Sequence, residues 1–235
     1  MAIDLTKEYA VKEQGTGALV IDVPANTADG NLLIGVCYVQ AATDNHSSAN
    51  GFTQFVNNLN TVYGNSRMTV WWKRASGEGA TITFNHSNNT TTAGLVIRIP
   101  GVIATGSPFD SATTLNTTML GQTVNCAEIT TGTDGAAVIM VAARVQAATY
   151  SLETLTRRII QQGGGGDASL FADLKAVAGA TGAQSVKNAT ANGYNHGALF
   201  SLKPLIEETT YMPDKWWRNT EQPPAFLHKN RIVGY

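Results

Sequence analysis

Four histidines are the first residues that could do chemistry. His46, His86 and His196 each follow an asparagine, in Asn-His-Ser, Asn-His-Ser and Asn-His-Gly, and His228 lies near the end of the chain. The first three fall where strands give way to loops. If those loops met at one end, the imidazoles with Asp44 could bind a metal. Nothing in their spacing requires one, and hydrogen bonding within loops is the ordinary reading, so no metal or cofactor is expected. Carboxylates number 17. Glu13, Glu78, Glu128, Glu153 and Asp173 stand in or near expected strands, yet no pair sits in a recognisable frame. A glycosidase needs two acids facing each other across a cleft, and Glu128 with Asp173 is no more than a guess at such a pair.

Other catalytic signatures are missing. There is no G-x-S-x-G elbow, no Walker A, no H-E-x-x-H and no C-x-x-C. The run Gly163-Gly164-Gly165-Gly166-Asp167 lacks the Gly-Lys-Ser/Thr end of a phosphate loop, and reads as slack or a tight corner. Cys37, in LLIGVCYV, and Cys126, in TVNCAEI, read as strand positions, where free cysteines are often simply buried. The expectation is therefore not an enzyme. Sugar binding is the better alternative, because flat sugar faces stack on aromatics and amides bind hydroxyls. Tyr63, Trp71 and Tyr194 are the candidate glycan contacts. Trp71 and Trp72 are adjacent on an expected strand, so their side chains point to opposite faces.

The elements that position these residues are strands. Runs at 18–23, 32–39, 68–73, 80–84, 95–99, 136–145, 150–155, 170–175 and 198–202 are β-branched, aromatic or apolar. Asp-Gly, Asn-Gly and Gly-rich punctuators separate them. Alternation is plain in Ala80-Thr81-Ile82-Thr83-Phe84. It is blurred in the longer runs, which are expected to be central and covered on both sides. Residues 169–178 could form a short helix, but a strand is preferred because of a match elsewhere in the chain.

That match is a near-repeat. Asp29-Gly30 leads into NLLIGVCYVQAA, and Asp134-Gly135 into AAVIMVAARVQAA. Further landmarks follow in the same order: Lys73 with Lys175, Gly79 with Gly182, Asn85 with Asn188, and Gly94 with Gly197. An all-β, two-sheet sandwich is expected, jelly-roll-like and internally pseudo-duplicated. It spans 1–205, with repeats at about 17–102 and 124–205. Residues 43–66 and 156–166 read as long loop insertions, and the linker 108–121 as a crossing loop or hairpin excursion.

Residues 206–235 differ in kind, rich in proline and aromatics. An extended C-terminal arm is expected there, with Trp216, Trp217, Phe226 and Tyr235 burying apolar surface on a neighbour and Arg218 pairing at the rim.

Composition agrees with contact more than catalysis. Of 235 residues only 14% are charged and 43% are hydrophobic, while 18 Asn and 29 Thr make the chain polar without charge. The net charge of -1 argues against a broad basic nucleic-acid surface. No apolar run approaches membrane-spanning length. The stretch MAIDLTKEYAVKEQ has no positive region followed by an apolar one, so no secretory signal is expected.

The segments GALVIDVPANTADGNLLIGVCYVQ, MTVWWKRASGEGATITF and TTAGLVIRIPGV together resemble a loosely defined class of phage and prophage structural proteins. In those, a strand ending near Pro leads to an "aGDLlL" turn, a "v-y-k" strand, an "a-G-e-s-a-t-v-t-f" hairpin and a further strand near Pro or Gly. The matching pieces here are Val23-Pro24, Asp29 to Leu33, Trp72-Lys73, Gly77 to Phe84 and Gly94 to Gly101, with Asp134-Gly135 in the second half. The turn reads Asp-Gly-Asn-Leu-Leu in this chain. The resemblance implies a virion component in a tail, a head decoration or a fibre. Its partners would be other virion proteins and copies of itself, with a host surface glycan as the alternative.

Overall fold

The computed structural model describes residues 2–5, 9–14, 17–41, 45–48, 50–61, 65–86, 90–118, 123–144, 150–162, 166–188 and 195–205. The described residues form strands and connections, with no helix among them. In chain order the first half holds β1 (Tyr9–Gln14), β2 (Leu19–Asp22), β3 (Leu32–Val39), β4 (Ser47–Ser48), β5 (Thr53–Asn60), β6 (Ser66–Arg74), β7 (Thr81–Asn85) and β8 (Thr92–Ile99). The second holds β9 (Thr114–Thr118), β10 (Thr123–Cys126), β11 (Thr130–Thr131), β12 (Ala136–Arg144), β13 (Tyr150–Glu153), β14 (Arg157–Gln162), β15 (Asp167–Lys175), β16 (Gly179–Ala180), β17 (Gln184–Asn188) and β18 (Asn195–Leu202).

Two five-stranded antiparallel sheets form the centre. Their orders are β1-β8-β3-β6-β5 and, read from the matching edge, β9-β18-β12-β15-β14. Two three-stranded sheets, β2-β7-β4 and β10-β17-β13, and a small β11-β16 ribbon complete the structure. The reason for so many sheets lies in three inner strands. Every residue of β3, β12 and β18 is buried, so both faces of each five-stranded sheet need cover. Along β3, Leu32, Ile34, Val36 and Tyr38 enter the central core, while Leu33 and Cys37 turn to an outer core with Leu19, Ile21, Ile82 and Phe84. Along β12, Ala137, Ile139, Val141 and Ala143 face the centre. Val138, Met140 and Ala142 face a second outer core with Val124, Cys126 and Val186. The expected two-sheet sandwich is therefore the middle of a four-layer stack, and each outer face is closed by a small sheet.

The central core is complementary in size. The first sheet contributes Leu, Ile, Val, Met and Tyr, and the second contributes Ala137, Ala143, Ala168, Ala172 and Ala198 among larger residues. Large side chains facing small ones let two sheets interdigitate without voids. An aromatic cluster locks one side: Phe55 packs at a tilt on Phe109 with centroids 4.3 Å apart and meets Phe200 edge-on at 5.1 Å. Phe109 comes from the linker, which continues into β9 as an edge strand beside β18.

Residues 169–178 carry most of a strand, β15, as preferred. Two expectations are corrected. The segment 43–66 is not simply a polar loop, because β5 lies within it and pairs with β6. Likewise 156–166 contains β14, paired with β15. In β5 buried asparagines replace the apolar residues a strand pattern calls for. Asn58 is only 6% exposed, and its amide donates to the carbonyls of Asn116 at 2.9 Å and Gly197 at 3.1 Å.

The Asp-Gly turns do matching work. Gly30 and Gly135 both have φ near the left-handed region, at 85° and 75°. The Asp29 carboxylate accepts the Gly77 N–H at 2.8 Å, and that of Asp134 accepts the Ala178 N–H at 2.7 Å. Each aspartate thus fastens the turn that follows the neighbouring strand. One landmark slips: Lys73 lies opposite Leu33, whereas Asp173, not Lys175, lies opposite Val138. Leu33 and Val138 each stand three residues past the turn glycine. A slip of two preserves the face of a strand, which is why lysine matched lysine in the sequence.

Gly94 and Gly197 mark where the outer sheets approach closest. A Cβ on Gly94 would lie 2.6 Å from Leu19 Cδ2 and 2.8 Å from the Val36 carbonyl oxygen, and one on Gly197 would strike Val124 and Cys126. Gly94→Ala and Gly197→Ala are expected to destabilise by about 2–3 kcal/mol each through overpacking. Gly79→Ala, with nothing within 4 Å of its Cβ, should shift stability by less than about 0.5 kcal/mol. Urea unfolding of the three variants checks this, and equal midpoints would rule out the close approach.

Candidate functional site

The three Asn-His histidines stand at one pole. His46 immediately precedes β4, His86 follows β7, and His196 is the second residue of β18. The His46 and His86 rings approach edge-on with centroids 5.5 Å apart. No group of three or more His, Cys, Asp or Glu side chains placed to hold a metal occurs among the described residues.

His46 is instead the middle of a directional hydrogen-bond chain. Trp71 Nε1, which can only donate, reaches Thr69 Oγ1 at 2.9 Å. Thr69 Oγ1 lies 3.4 Å from His46 Nδ1, and His46 Nε2 lies 3.1 Å from Thr92 Oγ1. Thr92 Oγ1 donates to the Tyr38 carbonyl at 2.7 Å. Because Thr92 Oγ1 spends its proton on Tyr38, it accepts from His46 Nε2–H. The network ties β6, β8 and β3 together through one loop residue.

His196 crosses between the halves. Its Nε2 lies 2.8 Å from Ser66 Oγ on β6, and its ring sits 6.0 Å from that of Tyr38. A serine hydroxyl against an imidazole has the atoms of a nucleophile and base. Here both residues are fully buried, and His196 Nδ1 has no partner among the described residues to orient it. Burial drives the imidazole down to about 3, far too weakly basic to take a proton near neutral pH. The pair is a structural pin.

Beside it lies a buried ion pair. Arg144 ends β12 and Asp167 begins β15, directly opposite in register. Their side chains are 2% and 0% exposed, with Arg144 Nε 4.0 Å from Asp167 Oδ2. Tyr150 donates to Ser169 Oγ at 2.9 Å, and Ser169 donates to Asp167 Oδ1 at 2.8 Å. Burial pulls the Arg144 guanidinium below its ordinary value, opposed by Tyr150 and Asp167. The neighbouring cavity, lined in part by Arg144, Tyr150 and His196, holds only about 10 Å³, room for a water at most.

Trp71 is corrected as a glycan contact. Its ring is 6% exposed and sits in the outer core of the first half, 6.0 Å from Phe84. The small sheet carrying Phe84 is its cover. Trp72 points to the opposite face, as adjacency on a strand requires, and meets Phe109 at 5.9 Å. Tyr63 and Tyr194 lie outside the described residues, as do Trp216, Trp217, Arg218, Phe226 and Tyr235 of the arm. Both cysteines are free and buried. Burial raises the Cys37 thiol well above its ordinary value and that of Cys126 to about 12, so neither supplies a reactive thiolate. Glu128 is exposed, and Asp173 is engaged by Thr156 N–H at 2.9 Å and Arg158 at 3.2 Å. The His46 chain, the Ser66–His196 pin and the Ser169–Asp167 link were not foreseen, because each joins residues distant in sequence or hides in ordinary Ser and Thr.

Fold and polar networks together define an all-β sandwich protein whose buried polar groups brace the structure. The chain matches no family model, no curated protein and no solved structure.

The His196 pin has a pH signature. Unfolded, the imidazole protonates near its ordinary 6.5, and folded only near 3. The folded state binds fewer protons across that window. The pin's contribution is complete above pH 6.5 and is lost as pH falls toward 3, at up to about 1.4 kcal/mol per pH unit. Urea unfolding at several pH values should show the wild type losing stability faster than His196→Gln below pH 6.5. Parallel curves would contradict the assignment.

Proposed function

We propose that this chain is a non-enzymatic structural component of a phage virion. It would assemble through the edges of its central sheets and through residues 206–235. We further infer that the sandwich is jelly-roll-like and internally pseudo-duplicated, a reading supported by the shared strand order and the matched Asp-Gly turns.

The observation that carries the assembly reading is the β5/β9 edge. Free edge strands invite pairing with another chain, and proteins that must stay apart blunt them with charge or proline. Edge strand β1 carries Lys12 and Glu13, and edge strand β14 carries Arg157 and Arg158. Edge strands β5, TQFVNNLN, and β9, TLNTT, carry no charge at all. They lie side by side, cross-linked by the Asn58 amide to the Asn116 carbonyl. Each presents a leucine to solvent: Leu59 is 43% exposed and Leu115 48%. An uncharged double edge bearing two leucines suits an interface between subunits.

The virion assignment is supported by the resemblance carried by segments spread over roughly residues 17–205. It is also consistent with a stack whose polar groups brace the framework and whose charge is sparse.

Light scattering on the full chain is expected to show an oligomer. Leu59→Lys with Leu115→Lys should reduce it to a smaller species with an unchanged thermal midpoint, since both side chains are half in solvent. Deleting residues 206–235 should abolish incorporation into particles. Unchanged incorporation would remove the arm from the proposal, and an oligomer indifferent to the double lysine variant would remove the edge.

A further inference from the structure

The two halves treat the same position differently. In the first, Lys73 extends along the open end of the outer core. Its ammonium reaches the Asn50 carbonyl at 2.7 Å and the Glu78 carboxylate at 2.8 Å, 5.9 Å above the Phe52 ring. This ion pair and ring close the gap between the large and small sheets. In the second half, Asp173 occupies the position of Lys73, as the strand register shows.

The loop beside it corresponds too. Asn50 Oδ1 accepts the Thr83 N–H in the first half, and Thr154 Oγ1 accepts the Ser185 N–H in the second. Leu155 then stands close to where Phe52 stands in the first half, and packs against the outer core. A short carboxylate and a smaller aliphatic residue replace a long cation and a ring. The result is an open cleft of about 90 Å³, lined by Val138, Leu155, Asp173, Lys175, Thr181 and Gln184 among others.

The cleft holds one polar atom without a partner among the described residues. Gln184 is 7% exposed, and its Nε2 donates to the carbonyls of Thr181 at 2.9 Å and Gly182 at 3.3 Å. The amide orientation is thereby fixed, and Oε1 is left as a buried acceptor without a partner among the described residues. A buried acceptor in a space this size has room for a donor, whether a water or a ligand group.

The surrounding chemistry selects the donor. An ammonium ligand is disfavoured, because Arg158 already offsets Asp173 and Lys175 adds a further positive charge at the rim. Hydroxyl groups fit on both counts: each can donate to Gln184 Oε1 or Asp173 and accept from Lys175. Val138 and Leu155 supply an apolar floor for C–H groups. The volume admits several hydroxyl-sized groups rather than a large molecule.

We propose that this cleft is a binding subsite for one edge of a sugar ring, with Gln184 and Asp173 as hydroxyl acceptors and Lys175 as donor. It stands independently of the virion reading and on residues other than the aromatic candidates Tyr63, Trp71 and Tyr194.

The test is a titration of the ¹⁵N-labelled full chain with the methyl glycosides of glucose, galactose, mannose and N-acetylglucosamine, and separately with 1,5-diaminopentane. At least one glycoside should shift the Gln184 side-chain amide and the backbone amides of Lys175 and Thr181, with Kd in about the millimolar range. Gln184→Leu should weaken it at least about tenfold, the loss expected when a buried hydrogen bond to the ligand is removed. Asp173→Lys combined with Leu155→Phe rebuilds the first half's closure and should abolish the shifts while the remaining spectrum stays folded. No glycoside response, a response mapping elsewhere, or a cleft response to the diamine alone would each overturn the proposal. The wild-type titration decides even if a variant fails to fold.

Discussion

The central layer between the two five-stranded sheets is the contact on which the rest depends. Neither sheet is complete without it, since β3, β12 and β18 are buried along their whole length. Its geometry is set by unequal side chains. The first sheet presents mostly large aliphatics and the second intersperses five alanines among its larger residues. Two alanine faces would leave the sheets too thinly packed, and two large faces would hold them apart. The halves therefore have matching strand orders but different central faces, and the difference makes the sandwich close.

Once that layer is formed, position in the stack explains most of what the polar groups do. At one pole the strand ends of both halves carry buried polar side chains. His196 and Asn58 reach across the central layer, and Asp167 and Arg144 pair within the second sheet. Burying such groups is costly unless they are hydrogen-bonded. The Trp71–Thr69–His46–Thr92–Tyr38 series meets that requirement link by link. At the opposite pole the Asp-Gly turns and their carboxylates restrain the connections. The poles are held by polar bonds and the middle by packing, so register is fixed at both ends of every central strand.

Much of this was legible in the sequence, and the reasons are specific. The apolar runs that became β3, β6, β12 and β18 were plain, because doubly covered strands need unbroken hydrophobic stretches. The two Asp-Gly turns were plain because a left-handed backbone needs glycine. Strand β5 was not, since it fills inward positions with Asn58 and Asn60, whose fit depends on carbonyls far along the chain. Strands β9, β10 and β14 are short and polar, and only pairing with a neighbour distinguishes them from loops. Four layers could not be anticipated from strand count, because the small sheets β2-β7-β4 and β10-β17-β13 are built from fragments of four or five residues or fewer. The Trp71-Trp72 pair gave the opposite faces but not what covers each of them. Adjacency on a strand fixes opposite faces, but it says nothing of whether each face is covered.

The abundance of Asn and Thr acquires a physical meaning from these contacts. Their side chains bond mainly to backbone: Asn58 to two carbonyls, Asn116 to that of Asn125, Thr114 to that of Ala127, and Asn50 and Thr154 to amides of the small sheets. A stack of short strands leaves many main-chain groups at sheet borders where no neighbouring strand reaches them. Small neutral amides and hydroxyls satisfy those groups without the desolvation penalty that an ion pair incurs. Arg144 with Asp167 shows how sparingly the fold uses the charged alternative. The low charge of the chain is thus a property of its framework.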